Sequence, residues 1–296
     1  MTTIEMMVGL PCSGKSGYCQ SHSGVWISSD EIRKELYGDA SVQENPDKVF
    51  RLMWRRLCEA IERDEQTVFY DATNVVAKRR VAFCDQLRAK YGSRVRLVAR
   101  VFNTPIHSCI DRAQKREELP LPEEVIWKFV KIWQTPYFWE GWDDIVMEGD
   151  EIDPLFVSSL AQSFDYDQKN KHHTLSLYTH MREASEHVEK FLAREDLRPE
   201  VKKLVILASS IHDIGKPLTQ TFDEEGFAHY FTHECVSGYL TLGYGLFVSA
   251  LCSHHMDIFK KTKLLDRMDN TFKTCLKVMY EADVEAHSYV DLERYW

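Results

Sequence analysis

No stretch of this chain stays apolar for the roughly 18 residues that a membrane-spanning helix needs. Met1–Ser13 carries a short apolar strand and a glycine loop, which is not the pattern of a signal peptide. The eight cysteines are scattered and form no CxxC pair. A disulfide framework is therefore not expected, and Cys58, Cys84, Cys109 and Cys275 read as small core residues in helical apolar patterns. Reduced thiols and a cytoplasmic setting are the expectation. Internal repeats and low-complexity tracts are absent. Basic charge is scarce too: residues 1–150 hold 21 Lys/Arg against 23 Asp/Glu, and residues 151–296 hold 16 against 23. That balance excludes long non-specific tracking along nucleic acid, which needs many phosphate contacts, but not a grip on one strand end. Histidine is nearly missing from the first half, where only His22 and His107 occur, while ten follow in the second. The asymmetry suggests two chemistries on one chain.

A length of 296 residues predicts two domains, each able to bury its own core. The first half alternates strand and helix. Strands are read in TIEMMVGL, VWISSD, TVFYDATN, RVRLVARVF and WDDIVMEGDEIDP, and helices in PDKVFRLMWRRLCEAIERDE, AKRRVAFCDQLRAKYG and PIHSCIDRAQKREE. Such βαβ alternation predicts a parallel sheet covered by helices. The second half reads as helices: YTHMREASEHVEKFLARE, PEVKKLVILASSIHDIG, THECVSGYLTLGYG, FVSALCSHHM and the stretch from Asp269 to the end. Residues 1–148 are expected as the first domain, 149–168 as an acidic, turn-rich linker and 169–296 as the second domain. The aromatic stretch IWKFVKIWQTPYFWEGW is read as core rather than as a base-stacking platform.

The segment GLPCSGKS matches the P-loop pattern, with Gly9, Gly14, Lys15 and Ser16 at the required spacing after a strand and before a helix. Glycines let backbone N–H groups close around phosphate oxygens, and a helix N-terminus favours anions. Lys15 would neutralise β- and γ-phosphates, and the Ser16 hydroxyl would bind Mg²⁺. Asp30, just past the second strand, could take a proton from an attacking hydroxyl or could simply cap its helix. Arg33, one turn on, could hold an acceptor anion. Arg112 and Arg116 share a helix face before a proline-broken segment, which suits a lid over a transferring phosphate as well as a solvated basic face. Asp71, ending the third strand, could hold the Mg²⁺ shell or make a sheet-end hydrogen bond.

Taken in order, GLPCSGKS, SSDEIR, DATNVVAKRR and DRAQKRE resemble the polynucleotide 5′-kinases of the bacteriophage type, over roughly residues 1–147. The resemblance implies that Lys15 and Ser16 bind ATP and Mg²⁺, that Asp30 activates a 5′-hydroxyl of RNA or DNA, that Arg33 contacts the acceptor, and that Arg116 with Arg112 forms the lid. The chain departs from the pattern after Arg116, where EELPLP is acidic and proline-rich.

In the second half, IHDIGK sets His212 beside Asp213 at a helix end. A His–Asp pair can ligate one metal and leave the carboxylate to bridge to a second, and Lys216 could neutralise a phosphate. With His180 before it and His233, His254, His255 and Asp283 after it, the order resembles the HD phosphohydrolase superfamily over roughly residues 165–290. That resemblance implies one metal on His180, His212, Asp213 and Asp283, and a second on His233 and one of His254 and His255, bridged by Asp213. His255 is favoured of the two. The metals implied are divalent transition ions such as Mn²⁺, Fe²⁺, Ni²⁺, Co²⁺ or Zn²⁺. His172 and His173 read as a solvated loop, and His187 is expected to pack or to pair with Glu183. His22, His107, His229 and His287 fall in no motif.

The expectation is an α/β P-loop kinase domain, its parallel sheet bearing helices on both faces, followed by an all-α HD domain. A kinase and a phosphohydrolase on one chain agree if they act on opposite ends of broken RNA. One would phosphorylate the 5′-hydroxyl, and the other would remove the 2′,3′-cyclic, 2′ or 3′ phosphate. A separate RNA ligase would then be the partner. Two alternatives stand beside it: a small-molecule kinase fused to a nucleotide phosphohydrolase, and a module whose HD half senses a nucleotide without turning it over.

Overall fold

The computed structural model describes residues 1–42, 44–116, 120–169 and 175–287. Two compact units emerge. The first comprises Met1–Phe129 with Pro136–Gly149, and the second Val130–Thr135 with Asp150–Trp296.

The first unit runs β1 (Thr2–Val8), α1 (Lys15–Ser21), β2 (Val25–Ser28), α2 (Ser29–Tyr37), α3 (Pro46–Glu62), β3 (Thr67–Asp71), α4 (Ala77–Tyr91), β4 (Val95–Phe102), α5 (Ile106–Gln114), α6 (Glu123–Val130) and β5 (Asp144–Glu148). The five strands pair only in parallel, in the order β2-β3-β1-β4-β5. Strands of such a sheet are covered on both faces and read as apolar runs, as MMV and VFY do. Neighbouring residues of β3 show the two faces. The Phe69 ring meets Tyr18 of α1 at 6.0 Å, while Tyr70 packs on Phe83 of α4 at 4.9 Å. Because β1 lies between β3 and β4, the loop after it opens at the carboxyl end of the sheet where strand order reverses, the usual place for a ligand in this architecture.

Sequence separation hides one device of this unit. Arg80 and Glu140 are both fully buried and pair through two hydrogen bonds of 2.8 and 2.7 Å. Trp142 Nε1 donates to the same carboxylate at 2.8 Å, and Arg80 Nη1 donates to the Asn74 carbonyl at 2.9 Å. Asn74 in turn donates to Met7 O at 2.8 Å, so the pair braces the loop beside β1.

The second unit is helical: α7 (Pro154–Ser163), α8 (Leu177–Leu192), α9 (Pro199–Ile211), α10 (His233–Leu240), α11 (Leu246–His254), α12 (Asp257–Lys260) and α13 (Asn270–His287), with a two-strand antiparallel hairpin, β6 (Thr221–Phe222) and β7 (Ala228–His229), between α9 and α10. Helix α8 packs against α9 and α13, and α11 against α9, α10 and α13. Helix α7 lies within the stretch read as linker, where Asp153 caps its start by accepting from Leu155 N and Pro154 takes the first turn. Most of the aromatic stretch is core, divided between the units, although Phe138 and Ile132 are exposed. Trp139 and Trp142 are buried in the first, whereas Trp133 is fully buried in the second, edge-on to Tyr239 at 4.9 Å.

Candidate functional site

In the first unit the loop after β1 is held at several points. Gly9 N donates to Thr73 O at 3.0 Å, and Thr104 Oγ1 donates to Ser13 O at 2.9 Å. Gly14, at φ +99°, adopts a left-handed turn that a side chain would strain, and so lets α1 begin at Lys15. The Lys15 ammonium is folded onto the loop, donating to Leu10 O at 2.5 Å and Gly9 O at 3.1 Å. Burial lowers its pKa, and the Asp71 carboxylate opposes that shift. Ser16 Oγ donates to Asp71 Oδ2 at 2.7 Å, and Trp26 Nε1 donates to the same oxygen at 3.0 Å. Burial raises the Asp71 pKa while the Ser16 bond, Lys15 and Trp26 pull it down. The strand register sets Ser28, at the end of β2, beside Asp71.

Ser28, rather than Asp30, caps α2: its hydroxyl accepts from Asp30 N at 3.2 Å and Glu31 N at 3.3 Å. The Asp30 carboxylate, 56% exposed, accepts instead from Arg33 Nη1 at 2.9 Å, while Arg33 is largely buried. Arg112 Nη1 reaches back from α5 to Cys12 O at 3.3 Å, which holds its guanidinium over the phosphate loop. Arg116 lies two residues beyond the end of α5 and is exposed. The EEL of the EELPLP departure, residues 117–119, lies outside the described residues.

The second unit brings most of its sequence-marked residues to one buried point. Asp213 is the hub. Its Oδ2 lies 3.4 Å from His180 Nε2, 3.4 Å from His212 Nε2 and 2.6 Å from Lys216 Nζ. Its Oδ1 lies 3.0 Å from His233 Nε2 and 3.6 Å from His255 Nε2. Asp283 Oδ1 completes one side, 3.0 Å from His180 Nε2 and 3.3 Å from His212 Nε2. Two overlapping donor groups result, His180–His212–Asp213–Asp283 and Asp213–His233–His255, whose ligand atoms within each group lie within 4.8 Å of one another.

Backbone geometry aims these imidazoles. His212 and His255 stand at the ends of α9 and α11, and His233 opens α10. Each points Nδ1 at the carbonyl three residues earlier, Ser209, Cys252 and Tyr230 respectively, at 2.7 Å. That contact fixes the proton on Nδ1 and turns the Nε2 lone pair inward, as a metal ligand requires. The donor set therefore fits a pair of divalent ions, with Asp213 able to serve both. The IHDIG turn closes on α10 because residue 215 is glycine: a Cβ there would lie 2.5 Å from His233 O.

Burial alone would push the Asp213 and Asp283 carboxyls up, but the surrounding histidines, with Lys216 beside Asp213, hold both well below the usual carboxylate range. Burial pushes the His212 imidazole down, yet Asp213 and Asp283 overturn this and raise it to about 9. His255 drops to about 4 through burial and the neighbouring His212 and His233.

His254 does not join the cluster. Adjacent residues on a helix point about 100° apart, so while His255 faces Asp213, His254 Nδ1 turns to Asp257 Oδ2 at 2.7 Å. His187 pairs with Glu285 at 3.3 Å rather than with Glu183. His172 and His173 lie outside the described residues. Sequence reading missed Gln168 and Tyr230. Gln168, fully buried, accepts from Lys216 Nζ at 2.8 Å, and Tyr230 OH donates to Gln168 O at 2.5 Å, so Lys216 is held against Asp213 from behind. Neither residue sits in a recognisable motif. Trp26 was equally silent, since nothing local links it to a residue 45 positions away.

Residues 4–132 match the family model of the AAA domain. Among solved structures, a chain of the Pnkp1/Rnl/Hen1 complex shares 19% identity over 40% of this chain and 42% of its own length, with a TM-score of 0.32. A chain of the Pnkp1/Rnl/Hen1 RNA repair complex shares 17% identity over 43% of this chain and 42% of its own length, with a TM-score of 0.36. This chain thus spans less than half the length of either. No curated protein matches the sequence. On geometry and family match together, the amino-terminal unit is a P-loop α/β domain, and it is followed by a helical unit with a buried histidine–carboxylate cluster.

Proposed function

We propose that the chain heals broken nucleic-acid ends. The first unit is an ATP-dependent polynucleotide 5′-hydroxyl kinase. The second is a metal-dependent phosphohydrolase that clears a 2′,3′-cyclic, 2′ or 3′ phosphate, and a separate RNA ligase seals the product. One observation carries the reading: a phosphate loop backed by Asp71 and a carboxylate-centred nest of inward-turned imidazoles occur on one chain. The order of motifs in both halves, which resembles the two families named above, agrees with it.

In the kinase reaction, the loop N–H groups and Lys15 receive the β- and γ-phosphates, so the Lys15 ammonium leaves the carbonyls it now contacts. Asp71 orients the Ser16 hydroxyl. Bound with ATP, Mg²⁺ supplies neutralising charge. Asp30, exposed and set by Arg33, accepts the proton of the attacking 5′-hydroxyl. Arg33 contacts the acceptor strand, and the lid pair Arg112 and Arg116 steadies the transferring phosphate. In the hydrolytic reaction, His180, His212, Asp213 and Asp283 would hold one divalent ion, and Asp213, His233 and His255 would hold another. These ions supply Lewis acidity toward water and the phosphoryl group. Lys216, pinned by Gln168, offers its charge to the phosphate.

Incubation with γ-labelled ATP and a 5′-hydroxyl oligonucleotide tests the first half, with label transfer to the strand as the expected result. Transfer to free nucleosides only would reject it in favour of a small-molecule kinase. For the second half, His212→Ala combined with Asp213→Ala is expected to lose bound metal and phosphate release together. Retention of both would locate the site elsewhere.

A further inference from the structure

After the two-residue strand β7 the chain runs through Tyr230 into a turn at Phe231 and Thr232, and its side chains divide between two sides. Ala228 is buried and Tyr230 half-buried, and both turn inward: Ala228 N donates to Lys169 O at 2.9 Å, and Tyr230 donates to Gln168 O with its ring 5.5 Å from Lys216 Nζ. His229 and Phe231 turn outward. Their rings are parallel within 7°, with centroids 5.5 Å apart, and Phe231 is 72% exposed. His229 is not loose, because Asp223 Oδ2 lies 3.0 Å from its Nε2. The result is a stacked pair of rings at the end of β7, next to Tyr230, which bonds the Gln168 that holds Lys216 against Asp213. Phe231 precedes the ligand His233 by two residues, so their Cα atoms lie within about 7 Å.

Resting on the hydrolase reading above, we propose that His229 and Phe231 form a stacking platform for a nucleobase at the strand end whose phosphate enters the histidine–carboxylate cluster. The dimensions favour a base over a protein or a bilayer. Phe231, 72% exposed, offers a ring face about one heterocycle wide, and its hairpin neighbours Thr221, Asp223, Glu224 and Glu225 are polar or acidic, unlike an apolar docking face. Stacking of this kind accepts any base and contributes about 1–3 kcal/mol per base.

The test uses the full chain and a single-stranded oligoribonucleotide ending in a 3′-phosphate, with 5-iodouridine at its last position. Ultraviolet crosslinking followed by peptide mapping is expected to mark His229 or Phe231, and Phe231→Ala to remove the mark. In steady-state hydrolysis, the preference for a base-bearing over an abasic end, read as a ratio of KM values, is expected to fall about tenfold in Phe231→Ala and to return in Phe231→Trp. Crosslinks confined to other segments, or an unchanged KM ratio, would overturn the platform while leaving hydrolysis in place. A crosslink at Phe231 in a protein that releases no phosphate would instead uphold the platform and reject the hydrolase reading.

Discussion

At the scale of single residues, the histidine cluster shows how neighbours split like groups: two carboxylates raise His212, while burial and adjacent imidazoles lower His255. Without metal, His212 holds its proton up to about pH 9 and His255 refuses one until about pH 4, against an ordinary value near 6.5. The two shifts act on stability with opposite signs. His212 binds its proton more tightly when folded, so its contribution is complete below pH 6.5 and lost as the pH rises toward 9. His255 binds less tightly when folded, so the fold is penalised as the pH falls from 6.5 toward 4, where the unfolded chain takes up the proton. Metal-stripped protein is therefore expected to melt highest near pH 6.5 and to lose stability on both sides. Thermal melts across pH 4–9 in chelator check this. His212→Asn should flatten the alkaline limb and His255→Asn the acid limb, and limbs unchanged by these substitutions would contradict the assignment.

At the scale of elements, close approach rather than composition shapes the second site. The turn after α9 meets the start of α10 only because Gly215 has no Cβ. Gly215→Ala puts a carbon 2.5 Å from the His233 carbonyl, and backbone there must move. A loss of about 1–3 kcal/mol in stability is expected, with weakened metal retention as His233 leaves Asp213. Denaturation midpoints and metal content on the same samples measure both, and wild-type values for each would refute the packing argument. The elements themselves were legible to different degrees. The five strands of the first unit could be read because each carries a short apolar, β-branched or aromatic core between turn signals, with the charges of β1, β4 and β5 paired with one another between strands. The start of α7 was signalled by Asp153 and Pro154, a cap and a first-turn proline, but acidic neighbours masked it. Strands β6 and β7, of two residues each, are too short for any period to register. In the site, residues carried by motifs were legible, namely Lys15, Ser16, His212 and Asp213. Their supports, Gln168, Tyr230 and Trp26, were not, because each acts across a fold and none has a local pattern. The sequence already favours His255 over His254, and the direction of the helix end gives the geometry: His255 Nε2 lies 3.6 Å from Asp213 Oδ1, while His254 turns to Asp257.

At the scale of the whole molecule, two units with separate cores carry two buried charged centres built on different principles. The first relies on backbone amides and a lysine to receive phosphate, and the second on imidazoles and carboxylates whose charges nearly balance inside a helical core. The −9 net charge agrees with the proposed action at a strand end, since following a strand would need many phosphate contacts. The most direct measurement presents one RNA bearing a 5′-hydroxyl and a 2′,3′-cyclic phosphate, with ATP, Mg²⁺ and Mn²⁺, and follows each end separately. Wild-type protein is expected to convert both. Asp30→Ala should lose only the 5′ reaction and Asp213→Ala only the 3′ reaction, each by a factor of 10² or more, roughly the contribution of a general base or a metal ligand. Wild-type protein that leaves both ends untouched while phosphorylating free nucleosides would contradict the account.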